Sequence, residues 1–558
     1  MARIDSKVVF LTTSPRTPAK MSPEIALLDQ YFGGYPWNHA TQTAFMGVLK
    51  DQNFFHGKGE NDPAFSARDR ISRAPQTLGF VTLKPVIALT PAGRALISAR
   101  RTDEIFLRQL LKFQIPSPYH VPSGKAAPFR IKPYLEILRL IRYFGTLKFD
   151  ELKMFALQLT DYRDFDRIVQ KIEAFRSAKE HNRGSYRDFA GQYFENELRE
   201  IYSHQLASGD TSTRESTNSS ATNFLRTKAS NMRDYADACF RYLRATGVVK
   251  VSHVGKSLSI ADEKIADVDF ILRTVDREPC FVDDRAAYIA YLGDTDTPVL
   301  LTDNRTNLVD KIATTFPEIA TDDTIGLQEL KDIYADALER RKDETLHRQV
   351  RELKDFRAYD SVQDTFRQIL NGELYDAPLM LEWNTWRAMT MLNGGDIKAN
   401  LRFDDFGEPL STAQGNQPDI VCDYGDFAVA VEVTMASGQK QYEMEGEPVS
   451  RHLGKLKKAC GKPAYCLFVA PNINEACIAH FFTLHKLDIP FYGGRSIIVP
   501  LPLAVFRQML EQTRTAHDKP TAESIRRLFE FSRESAGATD NPDTWYRELI
   551  EAALNWPE

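Results

Sequence analysis

The chemistry legible in this sequence lies in its carboxylates. Gln417-Pro418-Asp419 is followed thirteen residues later by Glu432, at the end of the apolar run Phe427-Ala428-Val429-Ala430-Val431. The residues between, centred on Asp423-Tyr424-Gly425-Asp426, are expected to fold as a hairpin that brings Asp419 and Glu432 onto neighbouring strands. Two carboxylates so placed can hold one divalent ion. Oxygen ligands select Mg2+ or Mn2+, and such an ion acidifies water and neutralises charge developing on a phosphoryl oxygen. A carboxylate ending an apolar strand also needs a metal or hydrogen bonds to offset its burial. Glu443, Glu445 and Glu447 follow in Gln441-Tyr442-Glu443-Met444-Glu445-Gly446-Glu447-Pro448, and Glu382 sits among aromatic neighbours in Leu381-Glu382-Trp383-Asn384-Thr385-Trp386. Any one of these glutamates alone reads as a solvated surface residue; together they favour a metal site.

The elements that must position them form a readable order in the last segment, 371–558. The pattern predicts a helix over 378–392, an extended stretch to Asp419, a strand over 427–433 and a basic helix over 451–459. A strand over 465–469, a helix over 475–486 and a strand over 496–499 follow, which is a mixed α/β sheet. Arg451 and His452, at the expected start of the basic helix, would contact a backbone phosphate through side chain and helix N-terminus together.

Three further segments precede it. Residues 1–104 end in two short apolar runs broken at Lys84-Pro85, then Thr90-Pro91 as the cap and first residue of a helix, the wing-then-helix ending of many winged-helix modules. Residues 105–262 carry apolar residues at helical spacing on both sides of Gly145, as a helix-turn-helix requires, then a basic helix over 227–243 and a candidate wing at 247–252. Residues 263–370, acidic and helical, read as a connector. Tandem basic helical modules favour reading of a DNA duplex. Arg68, Arg70 and Arg73 are the candidates for base contacts, because a guanidinium can bridge guanine O6 and N7, and Arg16 is a candidate phosphate contact. Pairing with Asp69 or another local acid is the bland alternative for Arg68 and Arg70.

The chain of 558 residues has a net charge of −5, but the two parts differ sharply. Residues 1–250 carry 37 Lys and Arg against 25 Asp and Glu, a balance of +12, leaving 34 against 51, or −17, for the remainder. The basic part suits a polyanion, whose neutralised phosphates release counterions. The acidic part suits metal ligands, solvation, or repulsion from DNA. With 43% hydrophobic and 26% charged residues and no run near the roughly 18–20 uncharged apolar residues of a membrane span, a cytoplasmic globular protein without membrane partners is expected. The six cysteines are scattered, with neither zinc-finger nor disulfide-framework spacing. Gly255-Lys256-Ser257 resembles the end of a phosphate loop, but Lys250 stands where its upstream glycine belongs, so no nucleotide cofactor is expected.

The Pro-Asp, strand, Glu-x-x arrangement resembles the nuclease core known as PD-(D/E)xK. Ala413-Gln414-Gly415-Asn416-Gln417-Pro418-Asp419, Glu432-Val433-Thr434, Glu445-x-Glu447-Pro448-Val449-x-Arg451-His452 and Tyr465-Cys466-Leu467-Phe468-Val469-Ala470-Pro471 resemble the AlwI family of type IIS restriction and nicking endonucleases. So do Thr13-Ser14-Pro15-Arg16-Thr17-Pro18, Ala64-Phe65-Ser66-Ala67-Arg68-Asp69-Arg70 and Leu78-Gly79-Phe80 near the N-terminus. The resemblance implies a multidomain α+β protein: a helical, winged-helix-like recognition region, a helical linker and a C-terminal mixed α/β nuclease domain. It implies cleavage of DNA a few bases outside a short asymmetric site with Mg2+, leaving 5′-phosphate and 3′-hydroxyl. By motif position the acidic active-site set would be Glu382, Asp419, Glu432 and Glu445, with Asp419, Glu432 and Glu445 toward the metal. One departure stands out: the lysine expected two residues after Glu432 is Thr434. Glu445 as a further ligand or base fills that role in the preferred reading, Lys440 as a displaced cation in the other. The class implies double-stranded DNA as partner, a homodimer on DNA or a second nuclease subunit, and a cognate methyltransferase. Strand-specific nicking, the large subunit of a two-chain nuclease, and a non-catalytic DNA-binding regulator remain as competing functions.

Overall fold

The computed structural model describes residues 2–5, 7–52, 54, 62–122, 129–213, 215–392, 395–413, 415–517 and 519–556. Gln414 of the family-like motif and Met1 lie outside the described residues. The chain divides into two compact units, 1–337 and 338–558. The segment 263–370 expected as a connector is thus shared between them. Among the described residues no helix is long and apolar enough to cross a membrane.

The first unit is mostly helical with small sheets. The hairpin expected around Lys84-Pro85 pairs Val81–Thr82 with Ala88–Leu89, and Thr90 caps the helix Pro91–Ser98 by accepting the Gly93 N–H at 3.0 Å. Around Gly145 the structure departs from a bare helix-turn-helix. Helices Pro133–Phe144 and Phe149–Met154 are separated by the strand Thr146–Lys148, because Leu147 alternates with polar neighbours and pairs opposite Leu258. Strands Val249–Ser252 and Ser257–Ile260 complete a three-stranded sheet, entered from the long helix Ala221–Arg244.

Acids of 262–303 fold back onto the basic part of this unit. Arg142 holds Asp269 through two hydrogen bonds of 2.7 and 3.1 Å, Arg108 reaches both oxygens of Asp303 at 2.7 and 2.8 Å, and Arg130 lies 3.2 Å from Glu278. Part of the charge asymmetry along the sequence is therefore neutralised inside one unit.

The second unit is a five-stranded mixed sheet with helices. The sheet and the helices that bear on the site are α1 (Ala377–Leu392), β1 (Asp396–Ala399), β2 (Ile420–Asp423), β3 (Ala428–Val433), α2 (Gln439–Cys460), β4 (Ala464–Ala470), α3 (Glu475–Lys486), β5 (Ile498–Pro502) and α4 (Leu503–Thr515); the unit also holds a separate hairpin, Leu401–Phe403 with Pro409–Thr412, and further helices. The sheet order is β5-β4-β3-β2-β1. β3, β4 and β5 run parallel, while β2 is antiparallel to both β1 and β3. Every residue of β3 and β4 is buried, as parallel strands covered on both faces require. The helix α1 packs on β1–β3 and on α4, and α2 packs on β3, β4 and α3.

One expectation is corrected here. The basic helix does not start at Arg451: α2 begins at Gln439 and runs through Pro448 to Cys460. Proline in a helix interior is disfavoured by about 3 kcal/mol, so sequence rules end a helix there, yet the packing of α2 on the sheet carries it through. Gly454 lets α2 also approach the turn Pro490–Tyr492 closely, because a Cβ at this position would stand 3.0 Å from the Tyr492 backbone.

Candidate active site

The local fold of β2 and β3 puts the two sequence-predicted carboxylates together. Tyr424 N–H donates to Phe427 O at 3.1 Å and closes the expected hairpin. The ladder pairs Ile420 with Val431 and Asp423 with Ala428, so the same register carried one step on sets Asp419 opposite Glu432. Directly opposed residues have Cβ atoms about 4.5–5.5 Å apart. Asp419 Oδ2 accepts the Val433 N–H at 2.8 Å, fixing the carboxyl at the end of β3.

Glu432 is only 5% exposed, and its Oε1 lies 2.8 Å from His452 Nδ1 on α2. Burial, with Arg451 and Lys455 nearby, pushes the His452 imidazole down to about 4. Glu432 is pushed up rather than down. The two therefore meet as a hydrogen-bonded pair rather than as an ion pair.

Glu445 is half-buried on the second turn of α2, and the neighbouring Thr434 hydroxyl favours its charged form. The residue standing where the nuclease signature has lysine thus holds another carboxylate. Glu382 reaches in from α1, its Oε2 accepting from Thr412 Oγ1 at 3.3 Å. Lys440 is exposed on the first turn of α2.

Glu382, Asp419 and Glu432 are each raised by neighbouring acids, while Glu445 is raised by burial alone. Burial is the first cause for each, followed by Asp419 acting on Glu382, Glu432 acting on Asp419, and Glu445 and Glu382 acting on Glu432. Glu382, Asp419 and Glu432 are held well above the usual carboxylate range, and Glu445 above it. Among the described residues none of the four is ion-paired with lysine or arginine. Each commits one oxygen to a protein donor.

Among the described residues no group of three or more His, Cys, Asp or Glu side chains is set to hold a metal by itself. Mg2+ is ordinarily held by one or two carboxylates together with water and substrate phosphate oxygens. The all-oxygen Asp419–Glu432 pair, each carboxyl raised by burial and by an acidic neighbour, fits such an ion.

The residues singled out for DNA are differently placed. Arg451 lies mid-helix, its Nε 3.1 Å from Glu447 and an Nη on Asn416, and His452 serves Glu432, so neither stands at a helix N-terminus. In the first unit Arg70 is committed to the buried Glu24, and Arg73 sits 2.5 Å from Asp69. Arg68 is half-exposed at 4.0 Å from Asp62, and Arg16 is 70% exposed at 3.7 Å from Asp237. The supporting roles of Thr412, Thr434 and His452 were not legible. They lie 30, 11 and 20 residues from the acids they serve, and only the general need of a buried carboxyl for a donor pointed to them.

Among curated proteins none matches the chain. Among solved structures it is similar to the small subunit (R.BspD6I2) of the heterodimeric restriction endonuclease R.BspD6I, at 22% identity over 35% of this chain and 95% of that one, with a TM-score of 0.28. The AlwI restriction endonuclease family model matches residues 76–509, more than three quarters of the sequence and the whole stretch from the first hairpin to α4. The chain belongs to the AlwI restriction endonuclease family.

Proposed function

We propose that this restriction endonuclease is a type IIS-like enzyme that hydrolyses DNA with Mg2+, or Mn2+ in its place, a few bases outside a short asymmetric site, and that Glu382, Asp419, Glu432 and Glu445 form its active centre. The observation that carries the reading is the register of β2 on β3, which opposes a half-buried and a buried carboxyl, neither of them in an ion pair with lysine or arginine among the described residues. Asp419 and Glu432 would hold the ion; when bound, it supplies Lewis-acid stabilisation of the phosphate and a more acidic water.

The chain's own groups set the rest. The Val433 N–H fixes Asp419, and His452 Nδ1–H fixes Glu432 in one rotamer. Thr434 turns Glu445 toward the pair, where its raised affinity for a proton suits it to accept one from the attacking water. Glu382, held by Thr412, closes the acidic side from α1. In-line attack then releases a 3′-hydroxyl and leaves the phosphate on the 5′ end. A DNA-reading role falls to the first unit, whose helix Ala221–Arg244 followed by the Val249–Ser252 and Ser257–Ile260 hairpin has the order of a winged-helix module.

A nicking or two-chain enzyme is the second reading. The described residues contain one such carboxyl cluster, so cutting both strands calls for a second copy or a second subunit. Digestion of a sequenced plasmid with the purified chain and Mg2+, with run-off sequencing of both strands, gives site, offset and strand together. Linear product is expected from a double-strand cutter and open circle without linear from a nicking enzyme; DNA left both uncut and unnicked would leave a DNA-binding regulator as the function.

A further inference from the structure

Two open clefts of the first unit, of about 1010 and about 890 Å3, share Glu215, Asn231 and Asp234 among their described walls. Both follow the helix Ala221–Arg244. One side of this helix, with Phe224, Leu225, Met232, Ala236, Cys239 and Phe240, is buried. The side toward the clefts carries Thr227, Ser230, Asn231 and Asp234 at three- and four-residue spacing, flanked by the exposed Arg226 and Arg233. The described walls of the two clefts bring six lysines and arginines, three on each cleft, against the two acids Glu215 and Asp234. Such a surface draws a polyanion.

The acid within it is the informative residue. Asp234 is exposed and accepts no hydrogen bond from the described residues, in a cleft otherwise suited to phosphates. Facing only a phosphodiester backbone it would repel. Facing base edges it has a use, because the carboxylate accepts from the amino group of cytosine, while the amide of Asn231 matches adenine N6 and N7. Asn231 Nδ2 has one long contact of 3.4 Å, to Glu215, and is cheaply redirected. From Arg226 to Asp234 the helix rises about 12 Å, at about 1.5 Å per residue, which matches the width of a major groove and covers about three to four base pairs.

We propose that the polar face of this helix between Arg226 and Asp234 reads base edges in the major groove, with Asn231 and Asp234 as specificity-determining residues and Arg226 and Arg233 on the flanking phosphates. The assignment rests on the reading of the chain as a sequence-specific nuclease, and it places sequence selection on residues other than Arg68, Arg70 and Arg73.

The test is selection from a random duplex pool by the full chain in EDTA, followed by sequencing, for wild type and for Asn231→Ala, Asp234→Ala, Asp234→Asn and Arg233→Ala. Asn231→Ala and Asp234→Ala each lose preference about five- to a hundredfold at one or two adjacent positions of the wild-type motif and keep the others. Asp234→Asn exchanges the preference at its position instead of flattening it, which a merely structural aspartate would not do. Arg233→Ala keeps the motif and lowers affinity for all duplexes alike, with the salt slope shallower by about one. A wild-type motif returned at full strength by both Asn231→Ala and Asp234→Ala, or no motif from the wild type, overturns the proposal. The nuclease reading fails separately: a chain that enriches a motif and never cuts it with Mg2+ sinks cleavage and leaves this face as the reader.

Discussion

The two units treat carboxylates withdrawn from solvent, fully or in part, in opposite ways. In the first, Glu24, Glu136 and Glu151 are all but fully buried and each meets a guanidinium. Arg70 reaches Glu24, Arg277 spans Glu136 with hydrogen bonds of 2.8 and 2.6 Å, and Arg176 takes both oxygens of Glu151 at 2.8 Å. In the second, Glu382, Asp419, Glu432 and Glu445 are gathered with hydroxyl, amide and imidazole donors only. A carboxylate paired with arginine is part of the frame. Four without a guanidinium, three of them raised by neighbouring acids, fit the proposed metal-holding centre, where function is set above stability.

The comparison is broken most sharply by neutralising one acid on each side. Asp419→Asn or Glu432→Gln is expected to lower cleavage roughly a thousandfold or more while site-specific binding persists. The same changes raise the stability of the metal-free protein by about 0.5–2 kcal/mol, since a repelling buried charge disappears. Arg70→Ala should do the reverse, lowering stability by about 3–5 kcal/mol because Glu24 is left charged and alone; denaturant unfolding with and without EDTA measures both. If Asp419→Asn destabilises as Arg70→Ala does, the four acids are structural after all.

A smaller effect sharpens the role of the imidazole. His452→Ala should cost about 10- to 100-fold in cleavage rate, as loss of a group that orients a ligand does, whereas Lys440→Ala should leave the rate unchanged.

The smallest effect is one of pH. Carboxyls with folded pKa above their unfolded values bind protons preferentially in the folded state, so their contribution is full below about pH 4 and is lost as pH rises through the folded pKa. Melting temperature of metal-free protein should therefore fall with rising pH more steeply in the wild type than in Asp419→Asn. Equal slopes would contradict the assigned cause.

Asp419 and Glu432 were legible because their pairing is local: a period-two pattern and a turn of fixed length set the register, and register sets which side chains meet. The α/β order of the second unit was legible for the same reason, with 475–486 helical as read. The start of α2 was not. Pro448 marks a break in any local reading, and only burial of Val449, Ser450, Leu453 and Gly454 against the rest of the unit continues the helix, which moves Glu445 from a loop onto a helical turn. The strand Thr146–Lys148 escaped because its partner lies more than a hundred residues away. The partner of Arg70 was not legible for a like reason: Glu24, which it meets, is 46 residues distant, and guanidinium chemistry alone does not separate a reader of bases from a partner of buried acid.

Binding of Mn2+ to the full chain by titration calorimetry, without DNA, tests the central claim most directly. The account predicts binding by the wild type with release of protons from the raised carboxyls, strong loss of binding in Asp419→Asn and Glu432→Gln, and unchanged binding in Lys440→Ala. Equal binding by the wild type and both acid variants, or none by any of them, would contradict it.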